Sequence, residues 1–342
     1  MGPTEAARRY SRPVIATLLS HSALQIFHGA RMEGLPTLGI GRKEDREMYD
    51  AFPRARPDKF IEVPEWPAVA EPEVQRALLK EQALLVPHGS FVEYVGAAKV
   101  MALEVPMFGN RATLEWEGSR EKQRKWLMEA GLQTPRVFMP QEVKSKVFVK
   151  FHGARGGRGY FTAKTPKEVM RGLAAAGVPP ERAEVQEFLT GVRYYMHYFQ
   201  SPLFGRTELL SMDRRIETVD EGLRNWPDPP DMEFTVSGNL PVVVREKFLR
   251  DLVAAGRKVA TIAKVLFSPG VIGPFCLESI YHPGRGFTFF EISARIVAGT
   301  NLYPTGSPYS PYTWDEPMST GRRLAREVKI AFQKRRLGEL VA

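Results

Sequence analysis

The first 112 residues alternate short apolar runs with amphipathic stretches, and this alternation restricts the possible folds more than any other feature. RPVIATLLS reads as a buried strand and HSALQIFHGARMEG as a helix ending at Gly34. LPTLGIGR and DKFIEV predict two further strands, and EPEVQRALLKEQ an amphipathic helix. ALLVPHGSF follows as a strand running into a turn, FVEYVGAAKVMALE as a helix, and VPMFGNR as another strand and turn. Strands and helices in this order imply a parallel, doubly wound sheet, and such sheets bind ligands beyond the carboxyl ends of their strands. The polar clusters Ser20-His21-Ser22, His88-Gly89-Ser90 and Gly109-Asn110-Arg111 fall at those ends.

From residue 113 the pattern becomes α+β. TLEWEGSREKQRKWLMEAGL predicts one long amphipathic helix closed by Gly131. QTPRVF and SKVFVKF are strands, followed by the loop HGARGGRG, the strand YFTAK, the helix PKEVMRGLAAAG and the strand AEVQEFL. RYYMHYFQSPL, TELLSMDRRIE and GNLPVVV predict antiparallel strands. REKFLRDLVAAGRKVATIAKVLF is a long helix, CLESIYHPGRGFTFFEISARIV two strands around a Pro-Gly turn, and GRRLAREVKIAFQK a closing helix. A chain of 342 residues exceeds one compact domain, so lobes sharing a cleft are expected.

The formal net charge of +9 raises the question of nucleic acid. The basic residues are mixed with acids in GSREKQRKWLMEAG and TGRRLAREVKIAFQKRR, at helical spacing, which predicts solvated helix faces and no nucleic-acid partner. A positive field also suits anionic small molecules such as nucleotides. No apolar run is long enough to cross a bilayer, and the opening segment is too broken by polar residues for a signal peptide. The single cysteine, Cys276, cannot form an internal disulfide and sits in the apolar run GPFCLESI as core filler. A reducing, cytoplasmic setting is the expectation.

Three features carry chemistry. VFVKFHGARGGRGYF places Lys150 at a strand end, followed by Gly153, Gly156, Gly157 and Gly159 with Arg155 and Arg158 between them. Glycines let backbone amides approach phosphate oxygens, and the cations add charge. The GK[ST] ending of a Walker loop is absent, and a strand rather than a helix follows, so a hairpin over phosphates is one reading and a surface loop the other. Next, Glu278 in FCLESI and Glu291 in FFEISAR lie on strands joined by a hairpin, each among apolar neighbours. Buried carboxylates require neutralisation, so the pair reads either as a seat for a shared divalent cation or as two edge residues facing water. Arg295, four positions after Glu291, is expected on the same face, where it stabilises a transferring phosphoryl group. Finally, VQEFLTG leaves a strand into a glycine-containing linker, whose Gln186, Glu187, Phe188 and Leu189 can offer backbone groups to an adenine edge.

The order of these parts (lysine-ended strand, glycine-rich hairpin, hinge, two acids before the closing helix) resembles the ATP-grasp fold. The strings SHSALQIFHGARMEG, VPHGSF, VPMFGNR, KFHGARGGRGYF, HYFQSPL, LLSMDRRIE, SGNLPVVVRE, IGPFC and FEISARIVAGTN resemble, over nearly the whole chain, the archaeal PurP family. Its members are formate-dependent 5-formaminoimidazole-4-carboxamide ribonucleotide synthetases. The resemblance implies a Rossmann-like pre-ATP-grasp domain over 1–112, one ATP-grasp lobe over 113–191 and a second over 192–342. It implies that formate and ATP give formyl phosphate and ADP. The amine of 5-aminoimidazole-4-carboxamide ribonucleotide (AICAR) then displaces phosphate to give the formamido product, FAICAR. By the same resemblance His21 and Ser90 contact AICAR, with Asn239 near it. The segment from Lys150 to Leu189 holds ATP, Glu217 touches it, and Glu278 and Glu291 hold Mg²⁺ or Mn²⁺. Ser22, Asn110 and Asn301 join the candidates as polar positions in matched strings, and trimers or hexamers are implied. Two details depart from the wider superfamily: the second acid is followed by Ile292-Ser293 where many members have an asparagine, and no acid closely follows Gly191 to take the ribose. A related ligase with a different acceptor and a non-catalytic nucleotide-binding protein are the competing readings.

Overall fold

The computed structural model describes residues 1–151, 159–217 and 236–342. Its first sheet contains β1 (Val14–Leu18), β2 (Thr37–Gly41), β3 (Lys59–Glu62) and β4 (Ala83–Leu85), all parallel, in the order β3-β2-β1-β4. Every residue of β1 and β2 is buried, as in a parallel sheet covered on both faces. The helix Ala23–Met32 crosses from β1 to β2 and is followed by Gly34 at φ +72°, the left-handed conformation that ends helices. Two expectations change here. VPMFGNR forms no strand and contributes isolated bridges, from Met107 to Leu85 and from Gly109 to Val341. The segment 91–102 is two short helical pieces broken at Gly96, which adopts φ +85°.

The second sheet contains β5 (Val137–Phe138), β6 (Val147–Phe151), β7 (Tyr160–Ala163) and β8 (Ala183–Glu187), antiparallel, in the order β5-β8-β6-β7. The third contains β9 (Val192–Ser201), β10 (Arg206–Glu217), β11 (Val236–Pro241), β12 (Gly273–His282) and β13 (Gly286–Ser293), antiparallel, in the order β11-β10-β9-β12-β13. One face of this sheet is covered by the helix Leu249–Leu266, whose Leu252, Ala255, Val259 and Ala263 pack with Met196, Tyr198 and Leu277. Among the described residues no helix is long and apolar enough to cross a membrane.

The long helix expected after residue 112 is two helices, Ala112–Glu117 and Arg120–Glu129. The break falls at Gly118-Ser119, where the Ser119 hydroxyl accepts from the Lys122 amide and starts the second helix. This break turns Glu117 and Arg120 toward the interior of the molecule.

The closing helix Thr320–Gln333 packs against the helix Ala23–Met32. It is not the solvated face that its charges predict. Arg323 is fully buried, bonded to Glu208 and Glu327, and Arg322 pairs with Glu33 and Glu316. Buried arginine persists only with such partners. The two helix backbones meet at glycine: a Cβ on Gly29 would lie 2.2 Å from the Arg322 nitrogen. A Gly29→Ala substitution is therefore expected to force the helices apart and lower stability by about 1–3 kcal/mol, the usual cost of overpacking. Urea unfolding of the variant against wild type checks this, and an unchanged midpoint would contradict the close contact.

Candidate active site

A cavity of about 440 Å³ is lined by residues of the second and third sheets and by segments that follow β1 and β4 of the first. Its polar centre is formed by β12 and β13, where Glu278 and Glu291 are directly opposed partners. The alternation rule that keeps one strand face buried puts both carboxylates on the cavity side. Each is met by an arginine. Arg215 on β10 donates to both Glu278 oxygens, at 2.7 and 3.3 Å, and Arg120 donates to Glu291 Oε2 at 2.7 Å. Burial raises Glu278 above the ordinary carboxylate range, with Arg215 opposing it. Burial also acts to raise Glu291, but Arg120 and Lys150 outweigh it and hold that carboxyl down at about 2.

Lys150, at the end of β6, is almost entirely buried and lies over the rings of Phe290 and Phe148. Burial lowers its pKa and the Glu291 charge opposes that fall. Gly159 lines the cavity at φ +89°, a backbone conformation that favours glycine, with Gln186, Glu187, Phe188 and Leu189 nearby. Glu217 and Asn239 line the β10–β11 side, and Glu217 is paired with Arg193. The remaining residues of the predicted hairpin, Gly153, Arg155, Gly156, Gly157 and Arg158, lie outside the described residues, as does His152.

On the opposite wall His21 adopts φ +53°, its ring stacked on that of the buried His88 with centroids 5.4 Å apart. His21 Nδ1 is 2.7 Å from Ser22 Oγ. The ring is open to solvent through the cavity but lies deep among protein atoms. Withdrawal from bulk water, then the nearby Arg295, drive its pKa well below the usual value, so it is neutral at physiological pH. Gly89 permits this placement, since a Cβ there would sit 2.9 Å from His21 Nε2.

Ser22, Ser90 and Asn301 are not among the cavity-lining residues. Ser22 supports the His21 ring, Ser90 donates to Ser20 Oγ, and the Asn301 amide donates to the His21 carbonyl at 3.2 Å. Asn110 is turned to the carbonyls of Phe267, Ser268 and Gly270. Arg295 does line the cavity, although β13 ends at Ser293 and the strand argument that placed it no longer applies. Its guanidinium is instead anchored by Glu117 Oε1 at 3.1 Å and by the Ile296 carbonyl.

Sequence reasoning missed Arg120, Arg215 and Glu117. Arg120 sits in a stretch read as solvated helix. Arg215 had a usable signal, because Asp213, Arg215 and Glu217 share one face of β10 by alternation.

Among the described residues no three His, Cys, Asp or Glu side chains converge as a complete metal site. The Glu278–Glu291 pair nevertheless fits a hard divalent cation that takes its other oxygens from a bound phosphate, since two close carboxylates form an anionic oxygen donor set once such a cation displaces Arg120 and Arg215 from them.

Comparison with known proteins agrees with this layout. Two family profiles match, a domain of unknown function (DUF1297) over residues 161–342 and a protein of unknown function (DUF1246) over 15–138. The chain is 50% identical over 348 residues to a 5-formaminoimidazole-4-carboxamide-1-(beta)-D-ribofuranosyl 5'-monophosphate synthetase of Korarchaeum cryptofilum, covering 96% of this chain and 94% of that protein. It is 47% identical to the synthetase of the same name from Ignicoccus hospitalis, with 100% of both chains covered. The chain belongs to this synthetase family. A crystal structure of an IMP biosynthesis protein PurP from Thermococcus kodakaraensis superposes with a TM-score of 0.79 at 32% identity, over 96% of this chain and 100% of that one. The ADP complex of an N5-carboxyaminoimidazole ribonucleotide synthetase, at 10% identity and a TM-score of 0.65, shares the fold alone, covering 93% of this chain and 77% of that one. The synthetase chain thus has the ATP-grasp fold.

The low Glu291 pKa has a consequence for stability. A carboxyl depressed from 4.5 to about 2 stabilises the fold above pH 4.5, and that contribution is lost as the pH falls toward 2. The Glu291→Gln variant is expected to show a flatter loss of stability than wild type across that window, measured by urea unfolding at stepped pH. Parallel curves would show that Arg120 and Lys150 do not hold Glu291 ionised.

Proposed function

We propose that the chain formylates AICAR with formate and ATP, giving FAICAR, ADP and phosphate, as a step of purine (IMP) biosynthesis. The supporting observation is that one cavity receives the lysine-ended strand, the hinge, the paired acids and His21, from a chain related along its length to synthetases of that product.

Formate reacts with amines only after a leaving group is attached. A formate oxygen attacks the γ-phosphorus of ATP, the bond to ADP breaks, and formyl phosphate forms. The 5-amino nitrogen then attacks the formyl carbon, the bond to phosphate breaks, and the nitrogen gives up a proton. Lys150 and the hairpin through Gly159 bind the phosphates, and the segment Gln186 to Leu189 offers backbone groups to the adenine. Arg295, oriented by Glu117, stabilises the transferring phosphoryl group. His21, neutral and with Nδ1 engaged by Ser22, has Nε2 available to the acceptor nucleotide and can take the amine proton. Mg²⁺ or Mn²⁺ held by Glu278 and Glu291 would neutralise charge on the triphosphate. Glu217 takes the place of the missing ribose acid.

Purified protein given ATP, formate and AICAR is expected to release ADP and FAICAR only when all three are present. Product with a formyl-folate in place of formate, or no formate-dependent ADP, would reject this reading. Glu291→Gln is expected to reduce turnover by about 10²-fold or more without loss of folding, as for removal of a group that stabilises developing charge. His21→Ala is expected to raise KM for AICAR about tenfold, the equivalent of one hydrogen bond, and to lower kcat about 10²-fold or more as a lost proton acceptor, with KM for ATP unchanged. Steady-state kinetics varying each substrate in turn would separate the two effects.

A further inference from the structure

A buried chain of polar groups runs from the cavity into the third sheet. Asn239 on β11 is opposite Arg215 on β10, Asp213 is opposite Tyr195 on β9, and His197 is opposite Ser211. Because alternate residues share a face, Ser211, Asp213 and Arg215 point the same way, and the register irregularities of β10 lie outside this stretch, before Ser211 and after Ile216. Asn239, Arg215 and Tyr195 line the cavity, while Asp213 and His197 sit behind them at 0% and 1% exposure. The Asn239 amide donates to Asp213 Oδ2 at 2.7 Å, and His197 Nε2 lies 2.8 Å from Asp213 Oδ1. Gly299 packs directly on this carboxylate: a Cβ there would lie 2.1 Å from Asp213 Oδ1.

A carboxylate only accepts hydrogen bonds. Both neighbours must therefore turn a donor to it: His197 its Nε2–H, and Asn239 its NH₂. An amide has two ends, so fixing the NH₂ on Asp213 leaves the Asn239 carbonyl oxygen facing away from it, and among the described residues no protein donor reaches that oxygen. Among the described residues His197 has no partner on Nδ1, and its Nε2 holds the Asp213 carboxylate in place.

We propose that Asp213, set by His197, locks the Asn239 amide as an acceptor toward the cavity, and that this selects a nucleotide presenting an N–H donor there. Resting on the reading that the cavity takes an aminoimidazole carboxamide nucleotide, the lock prefers the 4-carboxamide ring over the same ring carrying a 4-carboxylate. The carboxylate would oppose two acceptors, leaving both unpaired and repelling each other. Sites built to bond a substrate N–H reject analogues that lack it strongly. Asp213 and His197 are positioning residues, acting only through Asn239.

The test is titration calorimetry of the full chain with the two nucleotides, identical except for carboxamide or carboxylate at position 4. Wild type is expected to bind the carboxamide form about 10²-fold tighter or more. Asp213→Asn can donate to the Asn239 oxygen and let the amide turn, so the preference is expected to fall to about tenfold or less, with ATP affinity unchanged. His197→Gln keeps a donor on Asp213 and is expected to keep the preference, whereas His197→Leu is expected to lose most of it. Should Asp213→Asn fail to fold, Asn239→Ala, on an edge strand, carries the same expectation of lost preference. Equal affinities in wild type, or a preference that survives in Asp213→Asn or Asn239→Ala, would overturn the proposal. Selective binding without formate-dependent turnover would break the formylation reading alone, and turnover without selectivity would break only this one.

Discussion

Two carboxylates facing each other across one strand pair, away from bulk water, are the constraint around which the cavity is arranged. Glu278 and Glu291 repel each other and lose hydration, so a fold that keeps them together must bring positive charge to them. Arg215 comes from two strands away and Arg120 from a helix that exists only because the chain breaks at Gly118-Ser119. Lys150 arrives from a different sheet. The acids thereby tie three separate parts of the chain to one point, and a phosphate-bound cation entering there can replace arginine as their partner.

The opposite wall follows a different logic. His21 is held in a left-handed backbone conformation, backed by His88 and Ser22 and given room by Gly89. The short helix Ala298–Leu302 links that wall to the third sheet: Gly299 covers Asp213, while Asn301 donates to the His21 carbonyl and accepts from Gln25. Residues read as possible ligands, Ser22, Ser90 and Asn301, thus hold the walls on which the lining residues stand.

Much of the site was legible in the sequence because its signals are local. A lysine at a strand end, glycines following it, and glutamates among apolar neighbours on a hairpin each report their chemistry through the residues beside them. The parallel sheet was legible for the same reason, since alternation of period two and three-to-four is a local property. What failed were readings that needed distant partners. Arg120, Arg322 and Arg323 look like solvated helix charge until Glu291, Glu33 and Glu208 are placed beside them from elsewhere in the chain. The helix break at Gly118-Ser119 had a local signal, a glycine followed by an N-capping serine, which the helical charge spacing on either side obscured.

The sequence by itself determined the alternating strands and helices of the first sheet, a lysine near a strand end, the pair of acids on one hairpin and the family to which the chain belongs, because these are carried by neighbours in the chain. Only the tertiary structure decided which cations neutralise the acids, that Arg295 reaches the cavity through Glu117 rather than along a strand, and that Asn239 is held by a buried Asp213. Each of those depends on side chains far apart in sequence meeting where water is excluded, and desolvation gives such a meeting its energetic weight only once the fold has closed around it.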